Sequence, residues 1–366
     1  MIVLPVAATT QSAPSTSSET RSSTVPAPTL SVEARLVTLP VTVRDKKGQL
    51  VTTLSKDDFT LKEDARAETV KFFSLDKDLP LTLGLLVDTS GSMRNALEQE
   101  RTASRSFFEQ MLTLPGDKAF LLHFDREVEL LQDLTSSKDK LGAALQILGP
   151  GEENTSSGSG DPDVNDVRRH GGGTQLYDAV FLAADELLKK QPGRKAIVLL
   201  SDGGDRGSKE TLDGAIEAAQ RAEVSVYTIY FKGEGGAPRD HDLGRQGGRS
   251  GGGWPGGAGG GGWPGSGGSG HGGSAGGQRG PEQPHVDGRK IMQQIADETG
   301  GRLFEAKKKE SIADIYKSIA EELRTQYVLA YTPDKDSSPS GFHKIDLTVD
   351  KKDDYVQTRA GYYADR

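Results

Sequence analysis

The stretch Leu81–Met93, LTLGLLVDTSGSM, decides the fold. Its first seven residues form an apolar run with no polar alternation, as expected of a strand covered on both faces. Asp88 then ends the strand, and the turn Asp88-Thr89-Ser90-Gly91-Ser92 follows at once. Ala196–Leu200 (AIVLL) and Val224–Tyr230 (VSVYTIY) have the same apolar character. Helical spacing is legible over Arg94–Leu112, where Leu97, Phe107, Phe108, Met111 and Leu112 recur, and over Asp139–Leu148, Tyr177–Lys190, Thr211–Ala222 and Arg289–Thr299. Ile312, Ile315, Tyr316, Ile319 and Leu323 mark one face of a last helix. Ala119–Phe124 and Glu127–Leu131 are close enough to form a hairpin, and Leu303-Phe304 is a brief strand. Strands alternating with helices predict an α/β fold, a doubly wound (Rossmann-like), mainly parallel sheet with helices on both faces.

The flanks read as β-structure. Val37, Leu39, Val41 and Val43 alternate with Thr38, Pro40 and Thr42, and Ile345, Leu347 and Val349 alternate in the same way. Further strands are expected near Asp58–Lys62, Glu68–Phe73, Tyr327–Tyr331 and Tyr355–Tyr363. Neither flank has enough strands to stand alone, so the two are expected to pair into a small β-sandwich from which the α/β domain emerges as an insertion. Two separate β-caps are the alternative. The expected boundaries are 32–78 and 326–366 for the two parts of the β-domain and 79–325 for the α/β domain. Residues 1–31 read as a disordered tail or a truncated signal segment, 152–170 as a polar insert and 233–285 as a Gly-rich disordered insert.

Composition narrows the function. The formal net charge of −8 disfavours nucleic acid, which needs a clustered basic surface. With no cysteine, disulfides, thiolate zinc sites and cysteine nucleophiles are excluded. No apolar run of about 18 residues occurs, so no transmembrane segment is expected. The apolar opening Met1–Ala8 and the Ser/Thr/Pro-rich residues after it suggest a secreted or cell-envelope protein, although the positively charged start of a signal is missing.

Three short motifs can carry chemistry. Asp88-Thr89-Ser90-Gly91-Ser92 follows the first buried strand, Gly173-Thr174-Gln175-Leu176-Tyr177-Asp178 opens a helix, and Ser201-Asp202-Gly203-Gly204-Asp205 follows AIVLL. In an open α/β sheet, ligands bind at the carboxyl ends of strands where the strand order reverses. Asp88 and Asp202 end two such strands. Hard cations take oxygen ligands, and Mg²⁺ keeps several waters in a near-octahedral shell. Asp88, Ser90 and Ser92 can converge from one tight loop, with Thr174 adding a hydroxyl and Asp202 a second carboxylate. Each motif alone is also an ordinary turn or helix cap. Asp178 reads as a structural hydrogen-bond acceptor near its helix start. The six histidines are scattered and read as surface or loop residues.

D-x-S-x-S, a distant T-x-L-Y-D-A and a later S-D-G resemble the metal-ion-dependent adhesion site (MIDAS) of von Willebrand factor A domains. LPLTLGLLVDTSGSM (79–93) and GDKAFLLHFDREVELLQDLT (116–135) are more similar still to bacterial VWFA-related domain proteins. The resemblance runs from about Val37 to Tyr363, apart from the two inserts. It implies that Ser90, Ser92 and Thr174 touch the metal while Asp88 and Asp202 act directly or through water. It further implies a protein partner whose Asp or Glu completes the coordination. Mg²⁺ is the expected ion, with Mn²⁺ or Ca²⁺ as alternatives.

The expected function is therefore divalent-metal-dependent protein binding, with no catalytic residue. A phosphatase of the haloacid dehalogenase type needs D-x-D, and position 90 is Ser; a P-loop and a G-x-S-x-G elbow are both absent. A metal-dependent hydrolase and a cation that merely braces the loops stay open as alternatives.

Overall fold

A computed structural model describes residues 36–75, 79–93, 97–149, 173–232, 287–306, 311–333 and 340–364. The expectations for 1–31, 152–170 and 233–285 lie outside the described residues. In chain order the strands and helices are β1 (Val37–Arg44), β2 (Phe59–Glu63), β3 (Arg66–Glu68), β4 (Phe72–Leu75), β5 (Leu81–Asp88), α1 (Leu97–Met111), β6 (Lys118–Phe124) and β7 (Val128–Thr135). Next come α2 (Lys138–Ile147), α3 (Leu176–Leu182), β8 (Arg194–Ser201), α4 (Leu212–Arg221) and β9 (Val224–Phe231). The chain finishes with α5 (Gly288–Thr299), β10 (Leu303–Ala306), α6 (Ile312–Arg324), β11 (Tyr327–Tyr331), β12 (Gly341–Val349), β13 (Tyr355–Gln357) and β14 (Gly361–Ala364).

The central sheet has the order β10-β9-β8-β5-β6-β7, with every pairing parallel except β6 with β7. All eight residues of β5 are buried, because helices cover both faces. On one face Leu83, Leu85 and Val87 pack with Phe107, Leu145 and Tyr316 from α1, α2 and α6. On the other, Leu86, Ile197 and Leu199 pack with Val180, Ala219 and Ile295 from α3, α4 and α5. The chain runs from β5 outward through β6 and β7, then returns to lay β8 on the opposite side of β5. Strand order therefore reverses between β5 and β8, where two of the three motifs were expected to meet.

The flanking strands form two four-stranded sheets, β13-β1-β11-β4 and β14-β12-β2-β3. They share one core of Leu39, Val41, Phe59, Leu61, Tyr327, Leu329, Ile345 and Leu347, drawn from both ends of the chain. This is the small β-sandwich. The chain leaves it after β4 and comes back in β11, and those strands pair directly, Leu75 opposite Tyr327.

Two of the flank expectations need correction. Glu68–Phe73 is not one strand: β3 ends at Glu68 and β4 starts at Phe72, in different sheets. Tyr355–Tyr363 likewise splits into β13 and β14. The break falls where backbone and side chains are used elsewhere. Thr358 Oγ1 donates to Pro40 O (2.9 Å), Arg359 Nη2 donates to Thr38 O (2.9 Å), and Ala360 N donates to Glu298 O (3.1 Å). In the helical layer, α3 runs on as a π-helix over Ala183–Leu188.

The sandwich sits against the α/β domain at the end opposite Asp88. Arg44 of β1 reaches Glu322 of α6, with Arg44 Nε donating to Glu322 Oε1 (3.2 Å) and Arg44 Nη2 paired with Oε2. Arg302 Nη1 donates to the same Oε1 (2.6 Å). Gln326 Nε2 donates to Tyr227 Oη (3.1 Å), and Arg324 Nη2 donates to Asp117 Oδ2 (2.6 Å).

Glu100 is an ionisable group inside this frame. It is buried on α1, and its Oε1 accepts from the hydroxyls of Ser104 and Tyr316. Burial outweighs those donors and pushes the carboxyl from the ordinary 4.5 up to about 7. Its folded value lies above its unfolded one, so its contribution is complete below about pH 4.5 and is lost as the pH climbs through about 7. Glu100→Gln removes that ionisation and keeps an acceptor. It is expected to stabilise the chain by up to ~3 kcal/mol near pH 8 and to change little near pH 4. Melting curves at the two pH values check this; an equal shift at both would reject it.

Candidate metal centre

β5 ends in the buried Asp88, and the backbone turns so that Ser90 N donates to Asp88 Oδ1 (2.9 Å). The hydroxyls of Ser90 and Ser92 stand 3.1 Å apart. Cis ligands on an octahedral ion at about 2.0–2.1 Å stand roughly 3 Å apart, so two hydroxyls at hydrogen-bond distance are also spaced to share one hard cation. The parallel register places Val87 beside Leu200, which brings the end of β8 next to Asp88. Ser201 Oγ donates to Asp88 Oδ2 (2.6 Å) and accepts from Gly203 N (3.0 Å). Ser201 was not among the expected site residues; the only sequence sign of it is its place in Ser-Asp-Gly.

Asp202, half-buried, accepts from Gly204 N at Oδ1 (3.0 Å). Its charge is felt at Asp88. Burial, first, and then the Asp202 carboxylate push Asp88 from 3.8 up to about 6, against the hydrogen bonds from Ser201 and Ser90. Among the described residues no cationic side chain bonds Asp88. A buried carboxylate beside a second carboxylate and two hydroxyls is the donor set a hard cation would relieve.

Thr174 comes from a third loop. Its carbonyl accepts from Arg206 N (3.0 Å), and Gly173 and Gly207 pack on each other. Its backbone is thus joined to the loop that carries Asp202. Asp205 Oδ1 accepts from Leu176 N (2.9 Å), Tyr177 N (3.3 Å) and Ser208 Oγ (2.6 Å), capping α3. Asp178 accepts from Lys209 N and Glu210 N at Oδ1 (3.0 and 2.8 Å), the structural role its sequence position suggested. Of the five candidates, Asp88, Ser90, Ser92 and Asp202 are linked by direct bonds or mutual charge, whereas, among the described residues, Thr174 is linked only through its carbonyl to Arg206 N in the loop after Asp202.

Exposure is graded across the site. Asp88 and Ser90 are buried, Thr174 and Asp202 half-buried, and Ser92 exposed, so the open side faces solvent. A cavity of about 510 Å³, lined in part by Arg126, Gln175, Phe181 and Lys209, begins one residue from Thr174. None of the five candidates lines it.

Behind the loop, Thr89 Oγ1 lies 3.2 Å from His123 Nδ1, and His123 Nε2 lies 3.0 Å from Glu129 Oε2. His123 is buried, contrary to the surface or loop position expected of it. It belongs to the support of the turn.

Gly203 is needed where it stands. Its φ is +74°, and a Cβ there would fall 2.1 Å from Gly288 O, at the start of α5. Gly203→Ala is expected to lower stability by about 1–3 kcal/mol through backbone strain. It should also weaken divalent-ion binding by displacing Asp202. Urea unfolding and metal titration check both effects; wild-type behaviour in each would show that the loop is not held by this contact.

Residues 83–204 match the family model for the von Willebrand factor type A domain. No curated protein matches the chain. Among solved structures, the conserved hypothetical protein BatB from Bacteroides thetaiotaomicron is similar at 18% identity and TM-score 0.40, over 67% of this chain and 97% of that one. The vWF domain of the type V pilus tip protein Mfa5 from Porphyromonas gingivalis is similar at 13% identity and TM-score 0.41, over 68% and 95%. Proximal thread matrix protein 1 from the mussel byssus, with a zinc-occupied MIDAS motif, is similar at 12% identity and TM-score 0.44, over 72% and 50%. At those TM-scores the likenesses carry no weight for function.

Proposed function

With residues 83–204 forming a von Willebrand factor type A domain, we propose that Asp88, Ser90, Ser92, Thr174 and Asp202 hold a divalent cation, Mg²⁺ by preference, to capture an Asp or Glu of a protein partner. The observation that carries this reading is the pair of hydroxyls 3.1 Å apart, set on a buried carboxylate that no cationic side chain among the described residues bonds.

The chain's own residues have separate tasks. Ser201 orients Asp88 through its 2.6 Å bond, and Gly203 N fixes Ser201 in turn. Ser90 and Ser92 offer neutral oxygens, which add no negative charge to that of the two carboxylates and so leave the ion able to take a further anionic ligand. Bound there, the ion supplies an electrophilic centre for an incoming carboxylate. The exposed side at Ser92 is where a partner approaches, and a site on the open surface suits a protein better than an enclosed small molecule. The same reading makes the chain a binding module rather than an enzyme and places it outside the cytoplasm, in secreted or envelope space.

The test is calorimetric titration of the full chain with Mg²⁺, followed by pull-down from the native envelope with and without EDTA. Wild type should take up Mg²⁺ and retain a partner only while the ion is present. Ser90→Ala/Ser92→Ala should lose roughly ten-fold or more in Mg²⁺ affinity and retain nothing. Equal Mg²⁺ uptake by both proteins, or retention that survives EDTA, sinks the proposal. A cation that only braces the loops would raise the melting temperature with no captured partner.

A further inference from the structure

A second group of ligand-type side chains lies in the sandwich, in strands that take no part in the Asp88 loop. β2 ends at Glu63, Asp64 begins the turn into β3, and His343 lies on β12, the neighbour of β2 in the same sheet. Asp64 N donates to Lys344 O (3.0 Å), so the turn folds back over the start of β12. His343 Nδ1 then stands 2.9 Å from Asp64 Oδ2 and 3.5 Å from Glu63 Oε1. One ligand atom from each of the three residues lies within 4.8 Å of the other two. Nitrogen and oxygen ligands at about 2.0–2.2 Å from a tetrahedral ion stand roughly 3.3–3.5 Å apart, so the His343–Glu63 separation of 3.5 Å already matches such a shell and the other two must adjust to it.

The surroundings hold each group with one face directed inward. Tyr331 Oη donates to Glu63 Oε2 (2.5 Å) and Tyr362 Oη to Glu63 Oε1 (3.1 Å). Lys344 N donates to Asp64 Oδ1 (2.9 Å), which leaves Oδ2 toward the histidine. The imidazole is stacked on Tyr362 with ring centroids 5.3 Å apart. Glu63 and His343 are only 4% and 3% exposed, whereas the Asp64 side chain is 45% exposed and leaves a route to solvent. Metal ligands are oriented by outer hydrogen bonds of the kind the two tyrosines and the amide supply.

We propose that Glu63, Asp64 and His343 form a second metal site, selective for Zn²⁺ or a similar transition ion, with water as the remaining ligand. An imidazole nitrogen beside two carboxylates matches the preference of Zn²⁺ and departs from the all-oxygen, water-rich shell of Mg²⁺. His343 binds through unprotonated Nδ1. The ion ties the β2–β3 turn to β12 and so braces one end of the sandwich. This site is independent of the Asp88 site in both residues and metal class.

Zn²⁺ titration of the full chain separates the two sites. Asp88→Asn should still bind one Zn²⁺ per chain, and Asp88→Asn/His343→Gln should bind none at the same concentrations. Co²⁺ added to Asp88→Asn should give a visible absorption band that the double variant lacks. Asp64→Asn alters an exposed side chain, keeps the core intact, and should weaken Zn²⁺ by roughly ten-fold or more. It decides the matter if His343→Gln fails to fold. A proton-bridged His–carboxylate cluster with no ion would leave Asp88→Asn without Zn²⁺ uptake, and uptake unaffected by Asp64→Asn would place the zinc elsewhere; either result overturns the proposal. Failure of Mg²⁺ to bind wild type would refute the adhesion reading and leave this one standing.

Discussion

Replacing Glu322 by alanine is expected to lower the stability of the full chain by about 3–5 kcal/mol, the range for a buried ion pair that loses one partner. Glu322 is 2% exposed and is shared by Arg44 from the sandwich and Arg302 from the loop before β10. Without it, Arg44 keeps Gln357 Oε1 at 2.8 Å but, among the described residues, no carboxylate, in a position only 9% exposed. The loss should exceed that of an exposed pair such as Lys46–Asp353, whose removal is worth about 0–1 kcal/mol. Because the contact joins the two halves of the fold, the variant should also unfold in two steps where wild type unfolds in one. Urea titration followed by fluorescence and circular dichroism checks this. A loss below about 1 kcal/mol would mean that apolar packing, not this pair, holds the sandwich in place. Glu322→Ala/Arg44→Met should recover much of the loss, since the stranded charge is gone.

The second large effect is at Asp88, where stability and binding oppose each other. Asp88→Asn is expected to stabilise the metal-free chain and to abolish its response to Mg²⁺. The folded carboxyl titrates near 6 instead of 3.8, so its contribution is complete below about 3.8 and is lost as the pH rises through about 6. Near pH 7.5 the asparagine variant escapes that loss, a gain of up to ~3 kcal/mol. Saturating Mg²⁺ should instead stabilise wild type alone, by about 2.7 kcal/mol at a concentration 100 times Kd. Melting curves of both proteins, with and without Mg²⁺ at two pH values, make the comparison. Equal stabilisation of both proteins by Mg²⁺ would remove Asp88 from the metal centre.

What the sequence made legible follows from the range of each interaction. The strands β5, β8 and β9 were readable because burial on both faces demands runs of apolar residues, a local signal. β1 and β12 were readable by alternation for the converse reason. Asp88, Ser90 and Ser92 share one turn, so their spacing in the chain is already their spacing in space. Asp202 needed the further inference that β5 and β8 are neighbours, which strand order bears out. Ser201 escaped notice because its bond to Asp88 spans 113 residues. His343 was misread for the same reason, since Glu63 and Asp64 lie about 280 residues away at the end of β2 and in the turn after it. His123 was misread although Glu129 is only six residues on, because the β6–β7 pairing that joins them was not followed to its side chains. The split of Tyr355–Tyr363 was also out of reach. Thr358, Arg359 and Ala360 leave the strand for contacts in β1 and α5 that no local pattern announces.

The way the α/β domain hangs from the sandwich bears on what happens when a bound partner is pulled. The chain departs from β4 and returns in β11 at the paired residues Leu75 and Tyr327, so both tethers leave from the same end of one antiparallel ladder. A tug on the partner reaches those tethers together and loads the ladder from its tip, where rungs part in sequence instead of sharing the strain. The Arg44–Glu322 bridge ties β1 of the sandwich to α6 and is expected to share that load. If the domain grips a partner as proposed, mechanical yielding is therefore expected to begin at the junction, before the parallel sheet opens.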